Sequence, residues 1–97
     1  MSDQIQRVLA IVEAMVGREA YGTTTGDIAA RTEESKPNVS RALSELKAAG
    51  WVEPHPKDAG RYRLTHKFAQ ISNTISMNLS QAQQQLSADQ QNYNKIY

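Results

Sequence analysis

The sequence holds 97 residues, 39% of them apolar and 6% aromatic, with a formal net charge of +1. That is enough chain for one domain with a small core and an appendage. It has no cysteine and no apolar run of membrane length, which excludes a disulfide frame, a thiolate metal site and a spanning helix.

Asp3 or Ser2 can cap a first helix, in which Ile5, Val8, Leu9, Val12 and Met15 or Val16 recur at helical spacing and Gly17 suits the stop. This regular aliphatic stripe is scaffold, expected to bring Val8 and Leu9 into the core. Tyr21 to Thr25 is a short β-tolerant connector with Gly22 as a turn signal, able to pair with a later strand. Thr24 can cap a second helix, with Asp27 three residues on in a weaker relative of the capping box. Ile28 and Ala29 point inward; Arg31 and Thr32 lie outward. Thr32, Glu33 and Glu34 then make a short polar turn.

The turn leads into SKPNVSRALSELKAAG, Ser35 to Gly50, a helix with Ser35 as cap, Pro37 in the first turn and Gly50 as a left-handed stop. At 100° per residue Val39, Ala42, Leu43 and Leu46 share one face. The opposite face carries Pro37, Arg41, Ser44 and Ala48, flanked by Asn38 and Ser40. A helix lying in a major groove needs such a face: little bulk, a guanidinium for guanine and an amide for adenine. The same residues also suit an ordinary wet surface.

After Gly50 the period changes. Trp51 to His55 is β-prone, Pro56 to Gly60 is dense in turn formers, and Arg61 to Leu64 alternates. Two short strands around a turn are expected. Tyr62 and Leu64 would close the core with Trp51 or Val52, while Lys57, Arg61 and Arg63 would face solvent. Charge supports a common purpose. Residues 1–34 sum to −3, residues 35–67 to +4, and residues 68–97 to zero. The positive excess sits on the central helix and the hairpin, where it suits a polyanion. Charged residues that protect a strand edge are the bland alternative.

Beyond Leu64, Thr65 can cap a last helix. Phe68, Ile71, Ile75, Leu79, Ala82 and Leu86 follow at intervals of three or four. That stripe is longer than a small domain can bury, so a dimer seam is expected, with a helix folded back on its own domain as the alternative. SADQQNYNKIY, from Ser87, is rich in Gln and Asn and reads as frayed tail, where Tyr93, Ile96 and Tyr97 have no evident partner. His55 and His66 lack partners at metal spacing and read as phosphate neighbours or bystanders. No nucleophile has a base beside it, and there is no glycine-rich phosphate loop. No enzyme, metal or cofactor is expected.

Helix, helix-turn-helix and basic hairpin in this order resemble the winged helix-turn-helix of bacterial and phage regulators. The pattern is most similar to the N-terminal domain of IclR-type regulators, on VLAIVEAM, TTTGDIAARTEESKPNVSRALSELKAAGWVE and GRYRLT; MarR-like regulators are a looser match. Lys36, Val39, Arg41, Leu43, Leu46 and Gly50 fall on the family's recognition helix. There are two departures. Glu34 occupies a turn position that is aliphatic in such domains, and the effector-binding domain of IclR-type regulators has no counterpart, so no small-molecule effector is expected.

The combined expectation is a mainly α fold with a small β-hairpin. It divides into a winged helix-turn-helix DNA-binding domain (1–66), a dimerisation helix (67–88) and a flexible tail (89–97). The function expected is that of a small dimeric repressor acting on double-stranded DNA in the cytoplasm, at the nucleoid and away from membranes. Asn38, Ser40, Arg41 and Ser44 would read bases, and Lys36, Pro37, Lys57, Arg61 and Arg63 would contact phosphate or minor groove. Two other functions fit the same features: a protein-interaction module such as an antirepressor or adaptor, and a plasmid or phage replication or partition factor.

Overall fold

The first three helices begin where short polar side chains cap them. The Asp3 carboxylate accepts from the Ile5 N–H at 3.1 Å, the Thr24 hydroxyl from Asp27 N–H at 3.1 Å, and the Ser35 hydroxyl from Asn38 N–H at 3.2 Å. Each such cap is worth about 1 kcal/mol. The computed structural model describes residues 3–96, so Ser2, the alternative first cap, and Tyr97, the last residue of the tail, lie outside the described residues. In chain order the elements are α1 (Gln4–Met15), α2 (Thr25–Thr32), α3 (Lys36–Ala48), β1 (Val52–His55), β2 (Asp58–Leu64) and α4 (His66–Tyr93). This is the expected mainly helical fold with one hairpin and a long last helix.

Helix ends are equally local. α3 closes in a Schellman motif: Gly50 takes φ 86°, the Trp51 N–H donates to Leu46 O at 2.9 Å and the Gly50 N–H to Lys47 O at 3.0 Å. α2 stops at Glu33, a left-handed residue with φ 58° and no glycine to relieve it. Thr65, expected to cap α4, uses its hydroxyl otherwise: it donates to Gly50 O at 2.8 Å and ties the end of α3 to the start of α4.

The chain divides into two compact units, residues 1–67 and 68–97. In the first, Ile11, Met15, Ile28, Val39 and Val52 are fully buried, joined by Ala29, Ala42, Leu43 and Leu64. Val39 and Leu43 are where the periodicity puts them, and Val52, with Trp51 only half-buried, is the residue that meets Leu64. The first helix differs from expectation. Its inward stripe is Ile11 and Met15 with Val8 and Val12 half-buried, whereas Leu9 is 57% exposed and Ile5 and Val16 also face out. α1 is apolar on two adjacent stripes, and packing against α2 and α3 selects one of them.

β1 and β2 pair antiparallel in the register Val52↔Leu64, Glu53↔Arg63, Pro54↔Tyr62 and His55↔Asp58, with a shift between Pro54 and His55. The second strand therefore starts three residues before Arg61. The connector supplies a third rung, as its β-tolerant sequence allowed. Thr23 and Tyr62 exchange two backbone hydrogen bonds of 2.9 Å. Gly22 makes this approach possible, since a Cβ there would lie 2.9 Å from Arg61 Cβ and φ is 77°.

The second unit is the greater part of α4. The helix is 28 residues long, none of them buried. It runs through Asp89 to Tyr93, so it covers the first part of the segment 89–97 that composition assigned to a flexible tail. Uncharged Gln, Ser and Asn give no cue for a helix end, and nothing in the sequence breaks the turn before Asn94.

Candidate nucleic-acid interface

α3 presents three strips. Val39, Ala42 and Leu43 face the core, which leaves Pro37, Arg41, Ser44 and Ala48 outermost and exposed. On one flank, Asn38, Arg41 and Glu45 border a cleft shared with Gln4, Arg7 and Val8 of α1. On the other, Ser40, Ser44 and Lys47 border a cleft floored by Leu43 and Tyr62 of the hairpin. The four residues expected to read bases thus divide between two flanks. Asn38 and Arg41 are coupled to each other, the guanidinium Nη1 donating to Asn38 Oδ1 at 3.4 Å. Ser40 and Ser44 stand beside the hairpin. Lys47, which the sequence reading did not single out, joins them there. Its spacing of i+3 from Ser44 was the available signal.

The turn into α3 is braced by an ion pair. Arg7 Nε lies 3.1 Å from Glu34 Oε2, and the side chains are 30% and 16% exposed. The Nε atom is buried and makes no hydrogen bond, so its contact with the carboxylate is that of an ion pair. This accounts for the carboxylate at a usually aliphatic turn position: a cation on α1 matches it. Lys36 reaches toward the first turn of α2, its Nζ 3.9 Å from where a Cβ on Gly26 would stand. The ammonium therefore sits beside a helix N-terminus, a place favourable to an anion.

The hairpin cations are not the three free charges the alternation implied. Arg63 is opposite Glu53 in register and donates to its carboxylate at 2.7 Å, half-buried. Arg61 lies 3.4 Å from Asp58 and donates from Nη1 to Gly22 O at 3.3 Å. Lys57, at the turn, is exposed. The sequence placed the two arginines on one strand face but could not show which carboxylate the pairing would bring opposite. His55 is neither a phosphate neighbour nor a bystander: it is buried, 2.9 Å from Ala20 O. His66 is the exposed first residue of α4, and Lys67 stacks its ammonium 4.7 Å from the Trp51 ring centroid. Among the described residues no three His, Asp or Glu side chains converge as a metal site, and no helix is long and apolar enough to cross a membrane.

The sequence model of the MarR family matches residues 7–59, more than half of the chain and the whole span from α1 into the hairpin. The chain belongs to the MarR family. Members of the MarR family are transcription regulators, not enzymes. The match falls on the looser of the two resemblances drawn from the sequence, and the comparisons give the IclR-type one no support. A solved structure of a mutant of S. aureus MepR aligns with 92% of this chain at TM-score 0.54 and 17% identity, a likeness of fold. This chain spans 66% of that protein's length. No curated protein sequence matches the chain. Within the MarR family's winged-helix frame, α2 and α3 are the helix-turn-helix and β1–β2 is the wing.

Proposed function

We propose that this MarR-family chain is a sequence-specific double-stranded DNA-binding regulator, a small dimeric repressor acting on cytoplasmic, nucleoid DNA. The observation that carries this function is the outer surface of α3. Its outermost residues are small apart from Arg41, and cations stand at its start and toward the wing: Lys36 at its start, Lys47 on the wing flank, and Lys57 and Arg61 on the wing itself. In this arrangement α3 enters a major groove. Arg41, oriented by Asn38, reads a guanine edge; Ser40 and Ser44 make shorter contacts beside it. Lys36, Pro37 and Lys57 lie along phosphates, with Arg61 from the wing. Arg63, committed to Glu53, contributes less than the other two wing cations.

A homodimer through α4 completes the proposal. Ile71, Ile75, Leu79 and Leu86 are exposed along this helix, with Phe68 half-buried at its start and Ala82 within the stripe. Exposed apolar rows of this length are a mark of association. Two-fold pairing would present two α3 helices to two half-sites.

Selection of bound duplexes from a random pool, followed by a salt series on the preferred one, tests this function. Affinity should fall by a thousandfold or more between about 50 and 200 mM salt. A flat salt response, or no enrichment, would point to a protein-interaction module built on the α4 stripe.

A further inference from the structure

His55 lies where the wing meets the connector between α1 and α2, and it is 6% exposed. Both ring nitrogens are engaged. Nε2 stands 2.9 Å from the Ala20 carbonyl oxygen, which can only accept. The Lys57 backbone N–H, which can only donate, gives a hydrogen bond to Nδ1 across 3.2 Å. These two partners fix the neutral ring with its proton on Nε2. A second proton would have to go on Nδ1, where it would face the Lys57 N–H. Donor would then oppose donor in a buried place, and a hydrogen bond would be lost.

The charged groups around the ring supply no substitute partner. Lys57, Asp58 and Arg61 line this corner from the wing, and Tyr21 lines it from the connector. Lys57 and Arg61 are cations. Asp58 is the carboxylate of the corner, and it is already held by Arg61 at 3.4 Å and by the Gly60 N–H at 3.0 Å. The wing has two other attachments to the connector, the Thr23–Tyr62 rung and the bond from Arg61 to Gly22 O. Neither changes with protonation at moderate pH. His55 is the attachment built on an imidazole, a side chain that can take up a second proton.

We propose that His55 is a proton-sensitive clamp of the wing: neutral, it holds β1 on the connector; protonated, it releases that corner, and DNA affinity falls on mild acidification. The second half rests on the wing's part in DNA binding proposed above. The sign is diagnostic. A protein that gains positive charge in acid ordinarily binds DNA more tightly. Here the bound form requires the neutral ring, so proton uptake competes with binding and weakens it by up to about tenfold per pH unit.

The test measures Kd of the full chain for its selected duplex from about pH 7.5 to 5.5 at fixed ionic strength. Wild type, His55→Gln and His66→Gln are compared. Gln at 55 keeps an amide N–H for Ala20 O and has no proton to titrate. Wild type and His66→Gln should lose about tenfold or more over this range. His55→Gln should hold its affinity or gain. Matching pH profiles for wild type and His55→Gln would overturn the clamp. A second measurement needs neither DNA nor a variant: nitrogen NMR of the His55 ring, with hydrogen exchange at the Lys57 and Thr23 amides. The ring should carry its proton on Nε2 at neutral pH, and both amides should lose protection as it takes up the second. Unchanged protection through that step would also overturn the clamp. If protection falls while no duplex binds at any pH, the clamp stands and the DNA-binding function is what fails.

Discussion

Residues 1–67 and the helix beyond them satisfy their apolar side chains in different ways. In the first unit Ile11, Met15, Ile28, Val39 and Val52 are fully buried within one chain. In α4 no residue is buried, and Ile75 and Leu79 stand 56% and 64% exposed. Each half has helices with an apolar stripe, so stripe content does not separate them. Neighbours do: α1, α2 and α3 meet one another around the hairpin, whereas among the described residues the second unit holds one helix, α4. A lone helix in water is marginal without a packed face. The first unit thus carries its own core, whereas the apolar stripe of α4 stays exposed within the chain.

The sharpest way to break this contrast is Ile75→Asp. A charge in the proposed seam should give monomers by sedimentation, with the helix-turn-helix still folded by circular dichroism. DNA affinity should fall by roughly a hundredfold or more, because two half-sites are no longer held together. Wild type sedimenting as a clean monomer at micromolar concentration would sink the α4 seam. In that monomeric background, Ile11→Ala should destabilise the fold by about 2–5 kcal/mol, since it empties a core site. Leu79→Ala should change stability by less than about 0.5 kcal/mol, as an exposed truncation does. Similar losses for the two in thermal melts would mean that α4 is packed after all.

Arg41→Ala sharpens the comparison on the functional side. Binding by the monomeric form should weaken by about 1–3 kcal/mol on the preferred half-site and lose discrimination there, as expected of a guanine contact. Unchanged selectivity in a competition assay would place the reading edge elsewhere on α3. The smallest effect expected is at Glu33. Its left-handed backbone costs about 1 kcal/mol in a non-glycine residue. Glu33→Gly should recover about 0.5–1 kcal/mol of that in chemical denaturation, against its own entropic cost. A loss of stability would mean that the Glu33 side chain does more than tolerate the turn.

Much of this molecule is legible one segment at a time. Asp3, Thr24, Ser35 and Gly50 act within a turn or so of themselves, so capping chemistry alone placed the helix starts and the end of α3. The outward strip on α3 follows from 100° geometry once Val39 and Leu43 are known to face inward. Three things needed the tertiary structure. α1 offers two aliphatic stripes, and only its packing shows that Ile11 and Met15 are inside while Leu9 is out. The wing arginines look free in sequence, because Glu53 and Gly22 reach them only through strand pairing and the third rung. His55 has one partner close in sequence, the Lys57 N–H, but its other bond is to Ala20 O, 35 residues away, and exists only when the wing folds onto the connector. Local sequence decides which conformations a segment favours; which of its faces is covered, and which charge meets which, depends on contacts between segments that the chain must fold to create.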